Sequence, residues 1–330
     1  MNTLKLKILF LSLFLVSLLS SCSKNFDNME GFFIKVRSRP ANYVPTDFAL
    51  QPNIVIMGDG YTSADLVLGG RFELAANNLV KYLFDKDHGV VPFNMEPFCD
   101  YFNIFYIYLN SQEQGVGHGS AKNTALRCYY YNNTDIVFDD VNFFGGKKSP
   151  NPFDVALQFI PDLNLSNTVL VILVNDSQVG YTTSFRNTAP YDNWISIISG
   201  HPNDNDFKRL VMREVGGKAF ARLAQEDGIF SNDFKVLIKG MYPLYGFYSN
   251  VDLTDNEKEV RWKHLFNPNY SVGIYYAGDG VFRPDNDNIM ISNGSLRYDA
   301  PSCEAIIKRI YQIHDWDYTP SIFTYYFKTY

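Results

Sequence analysis

The sequence predicts one α/β domain in which a mixed sheet carries a long central helix. Short apolar runs of strand length alternate along the chain with stretches of helical periodicity, which is the pattern of helices packed on a sheet. No internal repeat or low-complexity linker interrupts this alternation, so one domain is favoured over two. The net charge of −6 and the lack of a Lys/Arg block argue against nucleic acid as a partner.

Four apolar runs predict the strands, and they lie at residues 53–57, 101–109, 168–174 and 194–198. The second and third runs are apolar almost throughout, as strands at the centre of a sheet are. Apolar residues that recur at three and four predict a helix over residues 63–84. Stretches rich in Gly, Pro and Asn predict loops at residues 115–119 and 142–152.

A second helix is predicted over residues 206–227, because apolar residues recur there at successive fours, at Val211, Val215, Ala219 and Leu223. Gly216 and Gly217 lie inside this helix, where each costs about 1 kcal/mol relative to Ala. Two adjacent interior glycines indicate either close packing against a neighbour or a bulge that rephases the helix.

The same segment has the pattern of a zinc-protease helix whose ligands have been replaced. Such a helix carries His, Glu and a second His, so that two imidazoles bind the metal and the Glu activates its water. Glu214 is present, but Arg213 stands at the first His position, and Gly217 and Lys218 occupy the two places open to the second. Because Arg does not deprotonate in proteins, the pattern predicts no metal and leaves Glu214 as a vestigial general base.

Residues 213–226 read REVGGKAFARLAQE and resemble the active-site helix of the IgA-peptidase family of zinc metallopeptidases, of the Bacteroidetes lipoprotein type. The positions shared with the family pattern HExGGHxFxxLxDE are Glu214, Gly216, Gly217, Phe220, Leu223 and Glu226. The positions that bind zinc in the family hold Arg213, Lys218 and Gln225 in place of His, His and Asp. The resemblance therefore implies a family member with degenerate zinc ligands.

The resemblance extends over roughly residues 50–315. It implies a zincin/metzincin-like single domain with residues 206–227 as the central former active-site helix. It also implies that Met290 lies in the turn beneath the metal position, and that a bound peptide contacts a cleft-lining stretch with Tyr275, Tyr276 and Arg283, unless these residues only pack in the core. His201 is the nearest His in sequence, and it is either a contributor to a rebuilt site or a turn residue.

The two cations of the helix admit three interpretations. Arg213 and Lys218 pair with Glu214 and Glu226 and hold the cleft in shape without metal, or they form a basic spot that accepts a peptide carboxylate or an acidic glycan. Alternatively, they are solvated residues that arrived by drift once zinc was lost.

The start of the chain predicts a bacterial lipoprotein signal. Lys5 and Lys7 precede the apolar run LFLSLFLVSLL, which is followed by a lipobox-like Ser-Ser-Cys that ends at Cys22. We expect a signal peptide at residues 1–21, lipidation of Cys22, a tether and extension at 22–49, and the metallopeptidase-like domain at 50–330. An ordinary signal peptide or an uncleaved anchor helix is the alternative. The remaining cysteines form no recognisable framework, and they are Cys99, Cys128 and Cys303.

Three functions are compatible with these features. The first is a lipid-anchored pseudopeptidase of the cell envelope, expected at the outer membrane, that binds a peptide or a protein of the host or the envelope. The second is an active zinc-dependent endopeptidase with an atypical metal site. The third is a structural or accessory surface lipoprotein. The first function predicts peptide binding without metal, and the second predicts cleavage that a chelator inhibits. The third predicts neither, and its partners would be found only by pull-down.

Overall fold

The computed structural model describes residues 31–37, 51–84, 95–138, 149–188, 191–292 and 294–328. The predicted signal peptide and the lipidated Cys22 lie outside these residues. Within the described ranges, no helix has both the length and the apolar character needed to cross a membrane. The cysteines that the structure describes are free thiols, at Cys99, Cys128 and Cys303.

A six-stranded mixed sheet forms the centre of the described unit, in the order β1-β3-β2-β7-β9-β8. Its strands are β1 (Gly31–Arg37), β2 (Asn53–Asp59), β3 (Asn103–Leu109), β7 (Thr168–Val174), β8 (Gly180–Thr188) and β9 (Tyr191–Ser199). The four inner strands run parallel, whereas β1 and β8 are antiparallel edges. Every residue of β2, β3 and β7 is buried, because layers of other residues cover both faces.

The helices and the smaller sheets cover and border this sheet. The helices are α1 (Arg71–Phe84), α2 (Pro152–Phe159), α3 (Asn205–Leu210), a π-helix (Val211–Phe220) that continues α3, α4 (Asn232–Tyr245), α5 (Ala300–Ile313) and α6 (Pro320–Lys328). The smaller sheets contain β4 (Gly117–His118), β5 (Cys128–Tyr130) and β6 (Ile136–Phe138), and the hairpin of β10 (Tyr275–Gly278) and β11 (Val281–Arg283). The main apolar core joins the sheet to α1, the π-helix and α5.

The α/β class and the mixed sheet are confirmed, and each predicted strand is present. The segment Gly31–Arg37, which lies within the expected tether and extension at 22–49, is an edge strand paired with β3. The predicted start of the first helix is corrected. Helix α1 begins at Arg71 rather than residue 63, because Gly69 has a positive φ of 72° and closes a tight turn before it.

The predicted helix over residues 206–227 is shorter than expected. It changes from α to π geometry at Val211 and ends at Phe220, where the Ala221 amide donates to the Gly216 carbonyl at 3.1 Å. Arg222 then adopts a left-handed conformation with a φ of 60°, and the Leu223 amide donates back to the Gly217 carbonyl at 3.0 Å. This termination resembles a Schellman motif and turns the chain out of the helix.

Both reasons expected for the paired glycines are present. They lie inside the π-helix, and each is in close contact with a buried side chain. A Cβ at Gly216 would lie 2.5 Å from the Tyr298 hydroxyl oxygen, and a Cβ at Gly217 would lie 2.6 Å from the Met290 sulfur. The Tyr298 hydroxyl donates to the Met212 carbonyl, so it ties the segment that leads into α5 to the widened turn.

We expect Gly216→Ala to destabilise the protein by about 1–3 kcal/mol, because overpacking against Tyr298 outweighs the gain in helix propensity. Gly240→Ala is the matched control. Gly240 lies inside α4, and no atom lies within 4 Å of the place that its added methyl group would take, so this change is expected to stabilise by up to about 1 kcal/mol. Urea unfolding measures both free energies, and equal effects of the two substitutions would contradict the packing argument.

Candidate functional site

The residues that the resemblance aligns with metal ligands converge on one buried carboxylate. Glu214 is fully buried, and its Oε1 accepts from Arg213 Nε at 2.8 Å and from Lys218 Nζ at 2.9 Å. Lys218 Nζ also donates to Gln225 Oε1 at 2.9 Å. The ammonium group of Lys218 therefore lies between Glu214 and Gln225, and these four residues form a single hydrogen-bonded group, here called the Glu214 cluster.

The charges of this cluster determine the ionisation of Glu214. Burial by itself would raise the pKa of Glu214, but the charges of Lys218 and Arg213, with a contribution from the Thr183 hydroxyl, outweigh it and lower the pKa below its ordinary value. Arg213 is almost fully buried, with its side chain 4% exposed, and Lys218 is 15% exposed. Glu214 is therefore an ionised carboxylate whose charge is already neutralised.

Edge strand β8 forms one side of the cluster. The Tyr181 ring lies under both cations, 4.7 Å from Arg213 Cζ and 5.7 Å from Lys218 Nζ, which is cation–π geometry. The Tyr181 amide donates to the Thr134 carbonyl on the side of β8 away from β9. Because alternate residues of a strand face the same side, the backbone of Thr183 also faces outward. No other described residue forms a backbone hydrogen bond with that edge.

A cleft of about 410 Å³ opens beside the cluster and exposes the ends of Lys218 and Gln225. Its walls are mostly apolar and aromatic, from Trp194, Leu223, Phe234, Leu237, Met241, Phe247 and Tyr248. Thr183 and Ser184 of β8 also line it, and the Ser184 hydroxyl oxygen is buried without a hydrogen-bond partner among the described residues. The cleft therefore combines an apolar wall, an unpaired hydroxyl and a strand edge.

The side chains of Arg213, Lys218 and Gln225 do not form a donor set that fits a zinc ion. Zinc sites in proteins use imidazole, thiolate or carboxylate ligands, and a cation at the position of Lys218 Nζ would face the guanidinium of Arg213. Among the residues that the structure describes, no group of three or more His, Cys, Asp or Glu side chains has an arrangement that could hold a metal ion.

Glu226 does not join the cluster, which corrects the expected pairing with Arg213 or Lys218. It is fully buried, and its carboxylate accepts from Asn250 Nδ2 at 2.8 Å and from Asn288 Nδ2 at 2.7 Å. Asn288 Nδ2 also donates to Asp299. Burial raises the pKa of Glu226, and the nearby charge of Asp299 raises it further. The cause of the separation is the turn at Arg222, which directs the consecutive side chains of Gln225 and Glu226 to different environments.

Met290 lies against the π-helix, with its sulfur near Gly217 and its carbonyl accepting from the Glu226 amide at 2.9 Å. Arg283 Nη1 donates to the Glu226 carbonyl at 3.0 Å, so it braces the chain after the helix. The residues Tyr275 and Tyr276 are exposed on hairpin strand β10 and do not line the cleft beside Lys218.

His201 lies in a different cleft of about 680 Å³. That cleft is at the carboxyl ends of β2, β7 and β9, and His201 Nδ1 is 3.5 Å from Asp204 there. The structure therefore does not bring His201 to the Glu214 cluster. Two residues that the sequence did not single out, Tyr181 and Thr183, do belong beside it, and no local pattern in β8 distinguishes them from other strand residues.

No protein-family model matches the sequence, and no curated protein matches it. A functional assignment therefore depends on the residues of this chain and on their arrangement.

We expect Lys218→Met to destabilise the protein by about 1–3 kcal/mol at neutral pH, because one of two partners of a buried carboxylate is lost. A lowered folded-state pKa contributes stability above the unfolded pKa, and this contribution is lost as the pH falls through the folded pKa. The difference in the free energy of unfolding between the native protein and Lys218→Met should therefore shrink as the pH falls below 4.5, the ordinary pKa of Glu.

Urea unfolding at neutral and at acid pH measures this difference. The exposed Lys239→Met serves as the control and should change stability by less than about 0.5 kcal/mol. A deficit for Lys218→Met that is the same at both pH values would show that the loss is one of packing and not of the Glu214 charge.

Proposed function

We propose that this protein is a lipid-anchored pseudopeptidase of the bacterial cell envelope, which has an IgA-peptidase-type metallopeptidase fold and binds an extended peptide without cleaving it. The observation that carries the proposal is the position of Lys218 Nζ, 2.9 Å from both Glu214 Oε1 and Gln225 Oε1. A side-chain ammonium there takes the role of the positive charge that a metal supplies in active relatives.

Loss of hydrolysis follows from the chemistry of Glu214. In a zinc peptidase the Glu accepts a proton from a water whose pKa the metal lowers to about 7. Burial alone would raise the pKa of Glu214, but the charges of Lys218 and Arg213 outweigh burial and lower it. Glu214 is therefore a weak base. Its role is to bind Arg213 and Lys218, and no hydrolytic step is assigned to it.

Two features of the fold support the metallopeptidase assignment. The π-helix lies against the sheet beside β8 and β9, with the Glu214 cluster on its β8 side. Met290 packs beneath Gly217 on a turn that comes from the distant C-terminal part of the chain. Both agree with what the sequence resemblance implies for a zincin/metzincin-like domain.

Peptide binding is supported by the cleft and by the edge strand that borders it. An extended peptide can pair with the outward-facing backbone of β8 and place alternate side chains against the apolar wall. The unpartnered Ser184 hydroxyl offers one further hydrogen bond. The apolar wall and the strand edge favour a peptide segment with apolar side chains, because Lys218 Nζ in the cleft already binds Glu214 and Gln225.

We expect Thr183→Pro to weaken peptide binding by at least about tenfold, because proline removes the outward amide of the β8 edge. Thr183→Val is the matched control, since it keeps this amide and removes only the hydroxyl. The probe is a peptide selected from an array of extended sequences, and fluorescence anisotropy in the presence of a chelator gives its Kd. Equal affinity in the two variants would contradict pairing with the strand edge.

We expect the native chain to hold no stoichiometric zinc, and the triple variant Arg213→His, Lys218→His, Gln225→Asp to bind one zinc per chain. The three substitutions restore the family's ligand types at positions that already converge. Metal content is measured by mass spectrometry, and circular dichroism checks that the variant folds.

The control for this experiment is Arg213→Gln, Lys218→Gln, Gln225→Asn, which removes the cations without supplying ligands. One tightly bound zinc in the native chain, with chelator-sensitive cleavage that Glu214→Gln abolishes, would support the alternative of an active endopeptidase. A folded triple variant without zinc would contradict the family resemblance. Absence of any peptide binding would leave the structural or accessory lipoprotein, whose partners a pull-down identifies.

The envelope location rests on the lipobox-like segment. Metabolic labelling with a fatty acid, compared between the native chain and Cys22→Ser, tests the anchor directly.

A further inference from the structure

A further pocket, distinct from the peptide cleft and from the cleft of His201, contains Arg222, which contacts the Phe247 ring of the peptide cleft. It has a volume of about 330 Å³ and lies between the end of the π-helix, the end of α4 and one face of α5. Its lining is rich in cationic side chains, which are Arg222, Arg261, Lys308 and Arg309. Glu304 is the acidic residue that lines it.

Arg222 occupies a backbone position that normally takes glycine. Its φ is 60°, and it follows the last turn of the π-helix, where a left-handed residue ends the helix. Its guanidinium carbon lies 4.6 Å from the centroid of the Phe247 ring, but the side chain forms no hydrogen bond or ion pair with any described residue. A strained position that keeps a long cationic side chain without a polar partner points to a ligand.

Arg309 is the second cation without a counter-ion. Its Nη1 donates to Gln312 Oε1 at 3.1 Å and its Nη2 to the Ser166 carbonyl at 3.1 Å, and both acceptors are neutral. Burial lowers the pKa of Arg222 to about 10 and that of Arg309 to about 9, and the charge of Arg222 contributes to the latter. The two guanidinium groups therefore repel each other in a partly dehydrated pocket.

The other charges that line the pocket are already paired. Glu304 binds His264 Nε2 at 2.9 Å and Lys308 Nζ at 3.0 Å. Arg261 Nε lies 3.7 Å from Asp252, and its terminal nitrogens donate to backbone carbonyls.

A neutral hydroxyl group is also available. The Ser249 oxygen is buried and has no hydrogen-bond partner among the described residues, although it lines the pocket. The pocket therefore offers two unneutralised guanidinium groups and a free hydroxyl, and its one carboxylate is held by other partners.

We propose that this pocket binds a tetrahedral oxyanion, a phosphate or sulfate group, between the guanidinium groups of Arg222 and Arg309. Guanidinium groups bind such oxyanions through paired N–H donors, and a doubly charged group neutralises both cations at once. The oxyanion is either the free ion or the head of a monoester whose remainder occupies the rest of the pocket. This proposal is independent of peptide binding at the Glu214 cluster.

The test uses the full-length protein in a non-ionic detergent, with thermal unfolding followed by circular dichroism. Inorganic phosphate and sulfate are titrated against chloride at matched ionic strength, and glucose 6-phosphate serves as the monoester probe. We expect a saturable rise in Tm with phosphate and sulfate that chloride does not give. If glucose 6-phosphate raises the Tm more than inorganic phosphate does, and at lower concentration, the site binds esters. If the two raise the Tm equally, the site binds the free ion.

Two variants separate a binding role from a structural one. Arg222→Gly is expected to raise the Tm in chloride, because it removes both backbone strain and charge repulsion, and to abolish the response to phosphate. Arg309→Gln should also abolish that response. Arg71→Gln, an exposed arginine outside this pocket, is the control and should keep it.

Two results would overturn the proposal. One is a native protein whose Tm responds equally to phosphate and chloride. The other is a phosphate response that persists in Arg222→Gly, which is expected to fold even where Arg309→Gln does not.

Discussion

The Glu214 carboxylate is fully buried, and a lone ionised carboxylate in that position would cost several kcal/mol. Arg213 and Lys218 approach the same oxygen of Glu214 and supply the compensating charge. Of the three interpretations of these cations, pairing with Glu214 that holds the cleft in shape without metal agrees with this geometry, because both side chains are directed at Glu214 and are mostly buried. Strand β8 and the π-helix pack around this ion-paired group, and the cleft opens beside it.

The end of the π-helix at Arg222 is what allows the cluster to close. In a regular α-helix continued to residue 225, Gln225 would lie about 10 Å further along the axis than Lys218. The chain instead leaves the helix at Arg222 and returns, so that Gln225 Oε1 meets Lys218 Nζ. The glycines at 216 and 217 permit this widened segment to pack directly on Tyr298 and Met290.

The two proposed sites adjoin at the end of this helix, where Arg222 lines one and Leu223 lines the other. Phe247 forms part of the peptide cleft's wall, and its ring stacks against the guanidinium of Arg222 in the second pocket. In the proposed pseudopeptidase, the charges of Arg213, Lys218 and Glu214 hold the centre of the domain without a metal. Its surface pockets are then the parts that remain available to ligands.

Much of the fold could be predicted from the sequence, because the signals are local. The strand at Thr168–Val174 has the predicted boundaries, since an almost unbroken apolar run allows no other burial pattern in a sheet covered on both faces. The paired glycines predicted a bulge or close contact, and both are present. The helix end was misplaced because Arg222, and not a glycine, adopts the left-handed conformation there.

The sequence by itself determined the α/β class, the strands and the absence of His or Asp at positions 213, 218 and 225, since these depend on residue identity and periodicity. Only the tertiary structure decided which groups meet. It brought Gln225 and not Glu226 to Lys218, placed Tyr181 beneath the cations, and put Arg222 and Arg309 in one pocket. These contacts join residues from separate elements, and their geometry follows from where a helix ends and how a strand pairs, which no local pattern encodes.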